Sequence, residues 1–397
     1  MTTSNAIFER ARLSRDARFD GQFFVAVKTT GIYCRPICPA NSPKSENVSF
    51  FRTAAAAGEA GYRPCLRCRP ECAPGTPAWA GTSTTVQRGL RLIAEGALDE
   101  GNVDDLADRL GVTSRHLRRL FTRHLGASPL AVAHTQRLHF AKTLIDQTSL
   151  PMRDIAVASG FGSTRRFNDT FRKTYGRTPR ELRRGREMEV IESAFSVQLA
   201  YRSPFNWPAL LEFFSARATP GVEQVQGDRY LRTIAVGEEC GIIDVRDIGD
   251  KLLLKLHGVA TTSLVAVVQR VRSVFDLDAS ISEVHAVLAR DAQLNKRLRA
   301  NPGIRVPGAW DGFELTVRAI LGQQVSVKAA TTLVGRIASR YGSRIDVPVH
   351  GTKQVPDRLF PGPEKLRRAR LESLGIIGSR ARAIRAVAKA TGEGRLC

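Results

Sequence analysis

The chain has 397 residues, too many for one ordinary domain, and its 43% hydrophobic content is ample for two or three separate cores. Its formal net charge of +22 points to a polyanion as partner, and its spread along the chain to several modules that touch nucleic acid. The stretch from Met1 to Gly21 has no apolar core of signal-peptide length, and no apolar run approaches a membrane span; the expectation is a soluble, cytoplasmic protein with no membrane partner.

Residues 1–78 read as a small zinc-bound α/β domain. The run from Gly21 to Thr30 is expected to be a strand ending in a turn, with Gly31 opening a cysteine-bearing loop. Cys34 and Cys38 form a C-x3-C pair, Cys65 and Cys68 a C-x2-C pair, and Cys72 follows four places on. Two short-spaced pairs brought together by folding supply four thiolates to a tetrahedral soft-metal site, most often zinc. Two disulfides or five unrelated thiols are the competing readings; nothing else in the chain looks secreted, which argues against disulfides. Spacing leaves open which four bind, because Cys72 can compete with Cys68. Arg35, Arg63, Arg67 and Arg69 crowd these cysteines, with Lys28 and Lys44 close in sequence, more charge than a structural knuckle needs and what a phosphate-meeting site does need. A metal-bound thiolate is also a nucleophile at neutral pH. Phe51 to Ala60 is alanine-rich and predicted as a short helix stopped at Gly61, and Ala73 to Thr85 reads as a Pro/Gly/Thr linker.

The segments Phe24–Cys38, Glu46–Phe51 and Arg63–Cys68 resemble the N-terminal zinc domain of the Ada family of alkylation-response proteins. That resemblance implies one Zn2+ held by Cys34, Cys38, Cys65 and Cys68. It further implies that Cys34 takes a methyl group irreversibly from a DNA methylphosphotriester. Cys72 falls outside the family's ligand set, and Arg35, Arg63 and Arg67 are expected to face DNA.

Residues 79–188 read as an all-α double helix-turn-helix domain. Leu106, Ala107 and Leu110 share one helical face, a turn follows at Gly111, and Leu117, Leu120 and Phe121 share a face of the next helix. Thr113 or Ser114 can cap that second helix, whose opposite face carries Arg115, Arg118, Arg119 and Arg123, with His116 beside them. The pattern recurs from Met152 to Lys173, with a turn at Gly160 and Arg165, Arg166 and Asn168 on the second helix. A long helix from Leu130 to Thr148 connects the two units, which can read successive major-groove faces roughly 34 Å apart. Gly160-Phe161 and Gly176-x-x-Pro179 resemble the AraC family DNA-binding domain, which Ada-type regulators place directly after their zinc domain.

Residues 189–305 read as an antiparallel-sheet α+β domain. Its expected strands are Ser196–Tyr201, Tyr230–Val236, Cys240–Val245 and Lys251–Leu256, with a helix over Phe205–Ala218. Periods then turn helical over Val265–Phe275, Ile281–Leu298, Gly312–Arg340 and from Glu364 onward, the last two within residues 306–397. No cysteine, histidine or carboxylate cluster of catalytic spacing stands out here. Phe205-Asn-Trp207, Arg305-Val-Pro-Gly308 and the run Phe313 to Ser326 resemble AlkA-type 3-methyladenine DNA glycosylases. In that family the loop matched by Gly322, Gln323 and Gln324 enters the duplex where the damaged base is flipped out. The family's helix-hairpin-helix and catalytic aspartate lie beyond the segment matched by Leu374–Arg380, and the sequence stops at Cys397. The expectation is therefore an incomplete glycosylase lobe with no catalytic carboxylate assigned. No Pro-Cys-His-Arg motif of the Ada family's second methyltransferase domain occurs.

The reading is a multidomain α+β regulator. It predicts stoichiometric methyl transfer to Cys34, a switch to promoter binding with RNA polymerase as partner, and a monomer, since tandem recognition helices remove the usual need for a dimer. Two rivals stay open: a regulator with purely structural zinc, and a working base-excision glycosylase for alkylated purines.

Overall fold

The computed structural model describes residues 3–68, 70, 73, 84–94, 96–99, 101–148, 150–183, 195–260, 263–349, 351–352, 354–393 and 395. Arg69, Cys72, nearly all of the predicted linker and the predicted boundary near 188 lie outside them.

The first module has α1 (Thr3–Leu13), β1 (Phe24–Val27), β2 (Ile32–Cys34), β3 (Val48–Phe51), α2 (Ala54–Glu59) and β4 (Arg63–Pro64). Its sheet runs β3-β1-β2-β4, antiparallel except for the parallel β2–β4 pair. All four β1 residues are buried because the strand is central and both faces are covered. Phe24 and Ala26 pack with Ala54 and Ala57 of α2, while Val25 packs with Ala11 of α1. The predicted helix at Phe51–Ala60 begins later than the composition suggests: Phe51 ends β3, and Thr53 caps α2 by accepting the Ala56 N–H at 3.0 Å.

Seven helices follow: α3 (Thr84–Ala94), α4 (Val103–Leu110), α5 (Ser114–Leu125), α6 (Pro129–Gln147), α7 (Met152–Ala158), α8 (Thr164–Tyr175) and α9 (Pro179–Arg183). Both helix-turn-helix corners turn on a left-handed glycine, Gly111 at φ +70° and Gly160 at φ +73°, where a β-carbon would add strain. Thr113, rather than Ser114, caps α5 through the His116 N–H, and Ser163 caps α8 through the Arg166 N–H. The first unit packs around Leu106, Leu117 and Phe121 in a core that also takes in Ala55 of α2. In the second, Phe161, Phe167, Phe171 and Tyr175 continue into the core of the sheet that follows.

That sheet comprises β5 (Phe195–Ala200), β6 (Glu223–Gln226), β7 (Arg229–Val236), β8 (Glu239–Asp247) and β9 (Lys251–His257), in the order β5-β9-β8-β7-β6 and antiparallel throughout. Between β5 and β6 lies α10 (Trp207–Ser215). The unpredicted β6 is four residues, Glu-Gln-Val-Gln, and an edge position lets so polar a strand pair. After α11 (Leu264–Val274), the helix expected over Ile281–Leu298 is two, α12 (Ile281–Leu288) and α13 (Ala292–Ala300). Asp291 restarts the chain by accepting the N–H groups of Gln293 and Leu294, both at 2.9 Å. The long period over Gly312–Arg340 likewise splits into α14 (Gly312–Leu321) and α15 (Val327–Tyr341), Ser326 capping the second. The lobe is completed by α16 (Pro363–Leu366) and α17 (Gly378–Gly392), with Val317, Leu321, Ile337, Leu366 and Ile384 in its core.

A buried ionic network joins this lobe to the sheet. Arg232 of β7 contacts Glu314 of α14 and lies 3.3 Å from Glu223 of β6; Arg318 of α14 reaches the same two carboxylates at 2.5 Å (Glu223) and 3.2 Å (Glu314). Tyr230 donates its hydroxyl to Glu223 at 2.6 Å. The network ties α14, which precedes the Gly322–Gln324 loop, to β6 and β7 of the sheet. Among the described residues no helix is long and apolar enough to cross a membrane.

Candidate metal centre and nucleic-acid interface

The strand ends assemble the cysteines. β2 stops at Cys34, and β4 runs beside it so that the Cys65 N–H donates to the Tyr33 carbonyl at 3.0 Å. Two sulfurs thus leave adjacent strands side by side. A turn in which the Cys38 N–H meets the Arg35 carbonyl at 3.1 Å brings the third back. The sulfurs of Cys34, Cys38, Cys65 and Cys68 all lie within 4.8 Å of one another. A tetrahedral zinc site with sulfur bonds of about 2.3 Å needs sulfurs about 3.8 Å apart, so the four can close on one ion with a small contraction.

The protonation chemistry agrees. Hydrogen bonds within the cluster, the one from Cys34 foremost, hold the Cys38 thiol down to about 7. The bond from Cys34 likewise leads those that pull Cys65 well below its ordinary range. Cys34 is pushed up mainly by its bond to Cys38, and Cys68 mainly by its bond to Cys34. Four sulfurs this close cannot all ionise without added positive charge, and a divalent soft cation supplies it. Cys68 receives the Arg35 N–H at 3.3 Å. Cys34 and Cys38 are half-exposed, whereas Cys65 and Cys68 are buried.

The predicted DNA-facing residues fall into two kinds. Arg63 and Arg67 are exposed beside the cluster. Arg35 is not: its side chain is 15% exposed, pairs with Asp20 through Nε at 2.8 Å and donates to the Cys68 carbonyl at 3.2 Å. On the recognition helices Arg115, Arg118, Arg119, Arg165, Arg166 and Asn168 are exposed, and half-buried His116 lies 3.0 Å from Arg119 through Nδ1. Gln323 and Gln324 stand exposed between α14 and α15, far from the cysteines in sequence and on another module; Gln324 has φ +54°, and the Gln323 carbonyl accepts from Arg380 at 2.5 Å. A non-glycine residue held at positive φ in an exposed loop stores backbone strain. Tyr33, just before Cys34, is hydrogen-bonded through its hydroxyl to Nε2 of His139 on α6 at 2.7 Å. Asp20 and His139 carry no local sequence signal; each is defined only by the residue it meets across the fold.

A four-thiolate centre on a small mixed sheet, joined to a double helix-turn-helix, defines a zinc-binding, DNA-binding regulator. Comparison with known proteins gives the family. The metal binding domain of Ada matches residues 8–71, a helix-turn-helix domain matches 106–185 and the AlkA N-terminal domain matches 196–311. The chain is 41% identical over 384 residues to a probable bifunctional transcriptional activator/DNA repair enzyme AlkA of Mycobacterium tuberculosis, covering 95% of this chain and 76% of that protein. It is 33% identical over 180 residues to the bifunctional transcriptional activator/DNA repair enzyme AdaA of Bacillus subtilis, covering 45% of this chain and 83% of the relative. It is 35% identical over 204 residues to DNA-3-methyladenine glycosylase 2 of Escherichia coli, covering 50% of this chain and 68% of the relative. The chain belongs to the family of bifunctional transcriptional activator/DNA repair enzymes. Its four-cysteine cluster is the site of one Zn2+.

Proposed function

We propose that Cys34 accepts a methyl group from a methylphosphotriester in double-stranded DNA, and that this transfer raises the affinity of the two helix-turn-helix units for promoter DNA. The observations that support the reading are the closure of four sulfurs to within 4.8 Å of one another at the end of β2, with Cys34 half-exposed, and the exposed Arg63 and Arg67 beside them. Hydrogen bonding to a thiolate withdraws charge and lowers its nucleophilicity, which leaves Cys68, the acceptor of the Arg35 N–H, less reactive than half-exposed Cys34. Bound zinc would keep the sulfurs deprotonated at neutral pH. The Cys34 sulfur then attacks the methyl carbon; an S–C bond forms, the C–O bond breaks, and the electron pair stays on oxygen as the restored phosphodiester anion. No proton is transferred. The thioether product has no leaving group to regenerate the thiolate, so each chain acts once. Arg63 and Arg67 are placed to hold the flanking phosphates.

The transfer converts one thiolate into a neutral thioether and so removes one negative charge from a surface that meets DNA. That lowers repulsion in the direction that tightens binding. In this reading the exposed residues on α5 and α8 read the operator, RNA polymerase is recruited, and the chain works as a cytoplasmic monomer. The Gln323–Gln324 loop contacts the duplex, and base excision is not assigned to any residue. The test is incubation of the zinc-loaded protein with DNA carrying isotopically labelled methyl groups. Label on the Cys34 peptide supports the reading, label released as free methylpurine supports the glycosylase instead, and label remaining on DNA leaves a regulator with structural zinc.

A further inference from the structure

We propose that the AlkA-like domain braces the zinc centre through a buried relay running Cys68, Arg35, Asp20, Arg202 and Arg305. At the zinc end, Arg35 donates its backbone N–H to the Cys68 sulfur at 3.3 Å and its Nη1 to the Cys68 carbonyl at 3.2 Å. The same guanidinium grips the Asp20 carboxylate, and Asp20 is 4% exposed. The Asp20 backbone carbonyl turns the other way and accepts Nε of Arg202 at 3.0 Å. Arg202 belongs to the loop after β5, in a different module, and is itself 4% exposed. Two further arginines hold that loop. Arg305 donates to the carbonyls of Arg202 and Pro204 while anchored on the carbonyls of Asp276 (2.9 Å) and Ala279 (3.1 Å), and Arg272 donates to the Ala200 carbonyl at 3.3 Å.

Independent contacts close the same boundary. Gln22 donates to the Ser280 hydroxyl at 3.3 Å. Leu66, between ligands Cys65 and Cys68, packs against the core shared by the second helix-turn-helix unit and the five-stranded sheet. Arg202 is withdrawn from water and finds one of its acceptors, the Asp20 carbonyl, on the zinc module. Ordering at either end therefore favours ordering at the other, and by reciprocity the effect has the same size in both directions. The role assigned to Asp20, Arg202 and Arg305 is positioning.

The inference rests on zinc occupancy of the cysteine cluster, and the test separates the two. Full-length zinc-loaded chain is mixed with excess colorimetric chelator, and the rate of zinc release is followed for wild type, Asp20→Asn, Arg202→Met and the double variant. Asp20→Asn weakens the grip on Arg35 but keeps the carbonyl that Arg202 uses. Each single variant is expected to release zinc several-fold faster, and the double variant no faster than the quicker single. Fold-changes that multiply, or an unchanged rate in Arg202→Met, overturn the relay. Should Arg202→Met fail to fold, Arg202→Lys, which keeps the charge, is expected to give a smaller acceleration; wild-type release from a folded Arg202→Lys chain counts against the relay. In the wild-type chain, zinc is expected to slow hydrogen exchange across Tyr201–Asn206, and equal exchange with and without zinc overturns the proposal. A chain that binds no zinc overturns both readings, whereas one zinc per chain with unaltered release overturns only the brace.

Discussion

Acid should loosen the junction between the zinc module and the connecting helix, and His139 is the group to watch. Burial pulls its pKa from an ordinary 6.5 to about 4, so the folded chain keeps the ring neutral at pH 7 while its Nε2 meets the Tyr33 hydroxyl. The unfolded chain takes up a proton below about 6.5 and the folded chain does not until about 4. Between those values the unfolded state binds more protons, so stability falls as pH falls, by about 1.4 kcal/mol for each pH unit, and levels off below the folded value. At pH 5.5 the loss is therefore about 1.4 kcal/mol, with a ceiling of about 3.4 kcal/mol across the whole window. The assay is urea unfolding of the zinc-loaded chain at pH 7.5 and 5.5, for wild type and for His139→Gln, which keeps a hydrogen-bonding partner for Tyr33 but does not titrate. Zinc ligands also take up protons as pH falls, but they do so in both chains, so the difference isolates His139. Wild type should lose about 1.4 kcal/mol more than the variant between the two pH values. Identical losses would refute the reasoning.

Three further outcomes are expected. Cys34→Ser should eliminate transfer of labelled methyl to protein while leaving unmethylated operator binding near wild type; mass spectrometry of the Cys34 peptide reads the first and a binding titration at fixed salt the second. Phe167, fully buried with ring centroids 5.3 Å from Phe161 and 4.9 Å from Phe171, should cost about 3–5 kcal/mol as Phe167→Ala. Because that core continues into the β5–β9 sheet, urea unfolding should shift for the sheet as well as for α8, and a loss confined to the helices would count against a common core. Ser163→Ala removes the oxygen that accepts the Arg166 N–H at 3.2 Å and should cost about 1 kcal/mol, read as faster hydrogen exchange in the first turn of α8 and weaker operator binding.

Local chemistry made part of this protein legible without coordinates. The cysteine spacings announce a metal site because four soft donors in two tight pairs have few other uses in such a chain. The helix-turn-helix repeats are visible because a left-handed glycine, a cap and a 3.6-residue apolar period are each properties of neighbouring residues. The same locality explains what was misplaced. A continuous apolar period conceals the breaks at Asp291 and at Gly322–Ser326, where side-chain caps restart the helix, and the polar β6 pairs only because β7 offers it an edge. Long-range partnerships were out of reach altogether. Arg35 reads as an exposed cation, and only folding shows it half-buried and paired with Asp20. Cys68 receives the Arg35 N–H only because the folded loops bring the two together. His139 and Arg202 lie over a hundred residues from Tyr33 and Asp20, with no periodicity linking them. Composition and spacing therefore determined which chemistry the chain carries. Tertiary structure decided that four sulfurs converge and which arginines pack against them, because burial and hydrogen-bond partnership belong to pairs of residues that meet only after folding.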